Sequence, residues 1–223
     1  MPKLNAALRI LCALAALAPV WSVLLSQASN AQGVEARHDL AIVIGGRLYD
    51  NWFLQLMLVP PQSCHPSYPA DGPASAADSW RCMTCHGWDY EGSDGSASPH
   101  RPSTPIFTGI SNSTGAEPSQ VRAILNDSVH RFTKQVIPPL ALDALAHFVS
   151  AGQIDIGGVI NPADGRSTGI AKRGKRAFKT VCALCHGLKG DALALESVGV
   201  RKTIGTLARF DPWRLCSSRE SRE

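Results

Sequence analysis

The chain is poor in charge. Asp, Glu, Lys and Arg make up 18% of its 223 residues, against an apolar fraction of 44%. That balance argues against bulk disorder. The net charge is only +4, and there is no long basic run and no interleaving of basic and aromatic residues, so no nucleic-acid partner is expected. Seven cysteines are too few for a disulfide-dense scaffold, and an odd number cannot all pair. Methionine is scarcer still, with only Met1, Met57 and Met83. No segment shows convincing strand alternation. No serine or cysteine stands in a recognisable nucleophile motif, which leaves a hydrolase without support.

What is present begins with an address. Lys3 and Arg9 precede an apolar run from Ile10 to Leu25, and the small residues Ser26, Ala28, Ser29 and Ala31 follow. That order is a signal-peptide pattern, expected over residues 1–31 with cleavage after Ala28 or Ala31. The run falls short of the roughly 20 residues that span a bilayer, so membrane association is expected only if the segment stays uncleaved. Cys12 reads as a small apolar residue of this run. The mature chain is expected to be exported to the periplasm, a disulfide-permissive compartment.

The mature sequence divides by charge. Residues 32–165 carry seven Lys/Arg against thirteen Asp/Glu, and residues 166–223 carry thirteen against five. The change falls at a glycine-rich stretch, 152–169, read as a linker between a domain at 32–151 and a second at 170–223. Such an asymmetry can orient a docking partner. Val121, Ile124 and Leu125 after Pro118 have helical spacing. Leu142, Leu145, Ala146 and Val149 share one helical face, opposite Asp143, His147 and Ser150, and Gly152 ends that helix. Residues 52–59 are apolar and fit helix or strand, and the prolines of 60–73 read as an extended loop. A second helix is expected over 171–181, with Gly174, Ala177, Phe178 and Val181 on one face.

The chemistry appears twice. Cys82-Met83-Thr84-Cys85-His86 and Cys182-Ala183-Leu184-Cys185-His186 are both Cys-x-x-Cys-His, and a glycine follows each. This is the attachment signature of c-type haem. Two thiols at that spacing can each add to a vinyl group of one porphyrin, and the adjacent histidine then lies beneath the ring as a proximal iron ligand. Paired Cys-x-x-Cys zinc sites close over roughly 15–20 residues, whereas 96 separate Cys85 from Cys182. A thioredoxin-like dithiol needs a βαβ setting that is absent. Two haem c groups are therefore expected, held by Cys82, Cys85, Cys182 and Cys185, with His86 and His186 on the irons.

Each motif also follows a glycine and an amphipathic stretch with an aromatic, Gly45-Gly46-Arg47-Leu48-Tyr49-Asp50 before the first and Gly174 to Val181 before the second. In this the chain resembles a dihaem cytochrome c built from two class I cytochrome c domains. His65-Pro-Ser-Tyr-Pro69, Trp80-Arg-Cys82 and Cys85-His-Gly-Trp-Asp-Tyr90 are similar to a bacterial dihaem subfamily. The resemblance implies an all-α fold of two tandem haem domains joined by the glycine-rich linker. An insertion at 52–79 sets the first domain apart from the family pattern.

The family supplies a distal methionine between the mid-domain helix and the closing helix. Here Met83 lies on the proximal side and Met57 is expected in the core, while His130 stands where that methionine would be. His130 is accordingly the expected distal ligand of the first haem, ahead of His100, His65 and Cys64. His147 is expected to face solvent and His38 to be exposed. After His186 come 37 residues without histidine or methionine. The second distal ligand is thus unknown, with Lys189, Lys202 or a residue of the first domain as alternatives to an open site. Residues 215–223 read as a polar tail, and the second domain reads as incomplete, truncated or frameshifted near Leu215.

The expected function is periplasmic electron transfer between redox protein partners, with the protein setting each potential through axial ligand, burial and charge. The alternatives are a dihaem oxidoreductase acting on a small inorganic sulfur or nitrogen compound, and a non-catalytic cytochrome subunit of a respiratory dehydrogenase.

Overall fold

The computed structural model describes residues 35, 37–95, 107–155, 157–161, 164–197 and 200–220. The expected signal segment and His100 lie outside them. Two compact units divide at Leu40/Ala41. Of the first unit, residues 37–40, including His38, are helical and exposed. The second unit, Ala41–Glu223, holds both Cys-x-x-Cys-His segments and the glycine-rich stretch between them. Among the described residues no helix is long and apolar enough to cross a membrane.

The unit is predominantly helical. Helix α1 covers residues 41–55, so Trp52 and Phe53 end a helix instead of opening an inserted loop. A 3₁₀ turn, Asp78–Trp80, leads into α2, Cys82–His86. Helix α3 spans Pro118–Leu125 and α4 spans Pro139–Ala151, each with proline in its first turn, where the missing N–H costs nothing. The expected apolar face of α4 is buried: Leu142, Leu145, Ala146 and Val149 all lie in the core. Burial of each large side chain is worth about 1.5–3 kcal/mol. The opposite face is less polar in its surroundings than expected. Ser150 is buried and donates its hydroxyl to the Ala116 carbonyl, and His147 is half-buried instead of facing solvent.

Helices α1 and α4 cross at Gly45. A methyl group there would run into the Ala144 carbonyl oxygen and Phe148 Cβ, so the backbones meet as closely as they do only because Gly45 has no side chain. Tyr49, one turn on, packs edge-on against Trp88 at 5.1 Å and tilted against Phe148 at 5.3 Å. Its hydroxyl donates to the Gly87 carbonyl, tying α1 to the end of the first motif.

The second half is built differently. Helix α5, Ala171–Ala177, runs through a π-helical turn, Phe178–Cys182, into α6, Ala183–His186. None of the three segments buries a residue, so the expected core face of Gly174, Ala177, Phe178 and Val181 is not covered. Strands β1, Ala194–Ser197, and β2, Val200–Thr203, form an antiparallel hairpin with Ala194 opposite Thr203, a departure from a purely helical chain. Helix α7, Ile204–Phe210, is capped by Thr203, whose side chain accepts from the Thr206 N–H at 3.1 Å.

The C-terminal segment is helix α8, Pro212–Glu220, and not the polar tail expected. Asp211 and Pro212 provide the start signal: the Arg214 N–H donates to the Asp211 carboxylate at 3.3 Å, with proline at the first helical position. Trp213 of α8 packs against the core that α1 and α4 build. Arg214 pairs with Asp50 of α1 at 3.3 Å. The stretch 152–169 is itself folded, since Ile160 bridges Ser167 and Gly165 lies under the Trp213 ring.

Candidate functional site

The first motif is held at both ends. Arg81 precedes it in extended conformation, and Gly87 ends α2 at φ 70°, ψ 175°. The left-handed φ favours glycine at that position. Arg81 is buried, and its guanidinium is paired with Asp78 at 2.9 Å and Asp50 at 3.0 Å and donates to the Asp50 carbonyl. A buried cation is tolerated only when paired in this way. Cys82 and Cys85 line the groove that opens beside α2. Desolvation pushes the Cys82 thiol up to about 12, so it stays a neutral thiol at physiological pH.

His86 and His130 both line this groove. Their ring centroids are 6.1 Å apart and their planes differ by 21°. His86 Nδ1 lies 3.0 Å from the Thr108 carbonyl, and His130 Nδ1 lies 3.1 Å from Asp127 Oδ1. Both partners are acceptors, so the proton sits on Nδ1 and the lone pair on Nε2 in each ring, the tautomer a metal-binding histidine needs. Slight burial pushes the Asp127 carboxyl up, but the N–H groups of His130 and Val129 and the His130 ring outweigh it and hold it below the usual range.

The groove is open at its mouth, and about 720 Å³ of empty space, open solvent included, lies within its walls. Helix α3 contributes Val121 and Leu125, α4 contributes Leu145 and Val149, and Trp80 and Phe132 close the side towards His130. The wall is thus largely apolar, with the thiols of Cys82 and Cys85 and the imidazoles of His65, His86 and His130 on its lining.

Comparison with protein-family models, with curated proteins and with solved structures gives no match. The reading of the site therefore rests on its own geometry. A bare zinc ion takes three or four protein ligands, and among the described residues no three His, Cys, Asp or Glu converge as such a set. Two opposed imidazoles suit a metal whose other positions are filled by a flat macrocycle. A metal–imidazole bond is about 2 Å and the ring centre lies about 1 Å behind the nitrogen, so two rings on one metal stand about 6 Å apart. The observed 6.1 Å fits. Cys82, Cys85, His86 and His130 are the residues that would hold a covalently attached iron porphyrin.

The second motif repeats the local backbone. Helix α6 ends at Gly187, φ 75° and ψ 162°, as α2 ends at Gly87. Its surroundings differ. Val181 is 74% exposed and Leu184 is 92% exposed. Cys185 is exposed as well, and the buried Nδ1 of His186 has no hydrogen-bond partner. Lys189 is exposed, and the Lys202 side chain lies outside the described positions.

Of the remaining expected ligands, Cys64 is exposed. Met83 is buried, whereas Met57, expected in the core, is 92% exposed on the turn after α1. A left-handed backbone at Met57, φ 53°, ends the helix there and turns the chain outward. His65 is buried among Trp80 and Phe132, with both ring nitrogens in hydrogen bonds. The sequence reading missed the roles of Asp127 and Thr108. Asp127 had a signal, an aspartate three residues before His130, where its side chain can accept from the next turn's N–H groups. Thr108 contributes only a carbonyl, which any residue type carries.

Proposed function

We propose that the chain is a dihaem c-type cytochrome that carries electrons between redox protein partners outside the cytoplasm, one haem on each Cys-x-x-Cys-His segment. The observation that carries the reading is the His86–His130 pair, 6.1 Å apart over an apolar groove edged by Cys82 and Cys85. Haem supplies one-electron exchange, and the protein tunes it by axial ligand and burial. Thr108 and Asp127 orient the two imidazoles and raise their basicity. Apolar side chains of α3 and α4 line the groove, and a second histidine on the iron would favour electron transfer over ligand turnover.

On the second segment, Cys182 and Cys185 would hold the porphyrin and His186 its iron. There the apolar Val181 and Leu184 are bare, and the residues from 187 onward include neither histidine nor methionine. That feature favours a second reading for this half only, an exchangeable iron site acting on a small inorganic sulfur or nitrogen compound.

The test is an absorption spectrum of the protein exported to the periplasm of a host that attaches haem, reduced with dithionite, with and without carbon monoxide. A c-type α-band is expected. Its absence overturns the assignment. A carbon monoxide shift confined to about half of the Soret intensity, the share of one haem in two, would identify one exchangeable site and favour the second reading for that half.

A further inference from the structure

The loop 60–73, rich in proline, has no part in holding the thiols or the proximal histidine. It nevertheless lies against the turn that carries His130. His65 Nε2 is 2.8 Å from the His130 carbonyl, and the Ser67 hydroxyl donates to the Val129 carbonyl at 2.7 Å. Two consecutive carbonyls of the ligand-bearing turn are thus gripped from one side. On the other side Asp127 Oδ1 accepts from the N–H groups of Val129 and His130 at 2.8 and 2.7 Å.

His65 is built for one orientation. Its Nδ1 accepts from the Ser67 N–H at 3.1 Å, so its ring proton is on Nε2 and donates to His130. Its own N–H donates to the buried Ser79 hydroxyl at 2.8 Å. The ring is only 8% exposed as a residue and packs edge-on against Trp80, centroids 4.4 Å apart. With both nitrogens occupied it does not serve as a ligand itself. The grip also has something to hold in place. Arg131, next to His130, sits at φ 58°, a left-handed conformation that side chains other than glycine rarely adopt.

We propose that the loop 60–73 clamps the distal-ligand turn, with His65 as a positioning residue that fixes His130 over the groove. This rests on the reading that His130 caps the first haem. The clamp keeps the imidazole on the metal by denying its backbone an alternative conformation, and it does so without touching the metal.

The haem-loaded full chain tests it. His65→Phe keeps the packing on Trp80 and removes the donor. It should raise the rate of carbon monoxide uptake above the wild-type level about two- to tenfold, the ratio that one lost net hydrogen bond represents. The low-spin electron paramagnetic resonance signal of the first haem should weaken in step. His65→Gln, whose amide can donate to the same carbonyl, should restore both. Ser67→Ala should shift both in the same direction by less, and it decides the matter if His65→Phe does not fold. Wild-type behaviour in His65→Phe, or in Ser67→Ala where His65→Phe yields no protein, overturns the clamp. His130→Ala in the same series separates the two readings. If it opens the site while the loop variants do not, the ligand assignment stands and the clamp falls. If the wild type has no c-type band, or His130→Ala leaves the site unchanged, both fall.

Discussion

Around His86 the chain has closed α1, α3, α4 and the loop 60–73 into one apolar wall. Arg81 is paired, Tyr49 holds Gly87, and Asp127 and Thr108 orient the imidazoles. Around His186 the same pentapeptide pattern, ending in the same left-handed glycine, rides on a helix that buries nothing. Lys172, Arg173, Lys175, Arg176 and Lys179 crowd that helix, and among the described residues none of them has an ion pair to an acidic side chain. The difference teaches that a local motif can be copied without its pocket. Attachment chemistry needs five or six consecutive residues, whereas distal ligation needs elements far apart in the chain to arrive at one place.

The largest effect expected on this contrast is spectroscopic. His130→Ala should leave the first haem attached and make its iron take up carbon monoxide. A reduced-minus-carbon-monoxide difference spectrum shows it, and an unchanged spectrum would remove the main distinction between the two sites. Next comes the wall. Leu145 is fully buried and lines the groove, so Leu145→Ala should cost about 2–5 kcal/mol, read as a lower urea midpoint at constant slope.

A third change probes how the two regions are joined. Trp213 is half-buried against the first core and Arg214 pairs with Asp50. Trp213→Ala should cost about 2 kcal/mol, roughly half the loss at a fully buried tryptophan. A loss below about 0.5 kcal/mol, the level of an uninvolved surface site, would mean that α8 contributes nothing to the first core, and the contrast would sharpen into two independent pieces. The smallest effect is expected at Leu184, where Leu184→Ser should stay within about 0.5 kcal/mol. A cost matching that of Leu145→Ala in thermal melts of the loaded protein would show that the second segment packs as tightly as the first, and would end the comparison.

Much of the helical frame was legible. The α4 face follows from apolar spacing, in α3 Val121 and Leu125 are buried as expected while Ile124 is 51% exposed, and Pro118 and Gly152 mark the ends expected of them. The C-terminal helix was missed because its polar residues outweighed the Asp211-Pro212 start signal, and Trp213 needed a surface supplied by α1 and α4. The hairpin 194–203 was missed because each strand is four residues long, too short for alternation to register. Met57 was misread because an apolar run was taken for core, when the helix it extends had already ended.

The sequence by itself determined which groups stand together: two thiols and a histidine at fixed spacing are neighbours along the chain, and no fold is needed to place them next to one another. It also determined the glycine that must end each motif, because the backbone there turns left-handed. Only the tertiary structure set His65 and His130 apart. Both are histidines in the same unit, and both border the groove. One had its nitrogens taken up by Ser67 and a carbonyl, while the other was turned towards His86 by Asp127. What a ring nitrogen can do depends on which groups fold against its partner nitrogen, and for His65 one of those groups is a carbonyl 65 residues away in the chain.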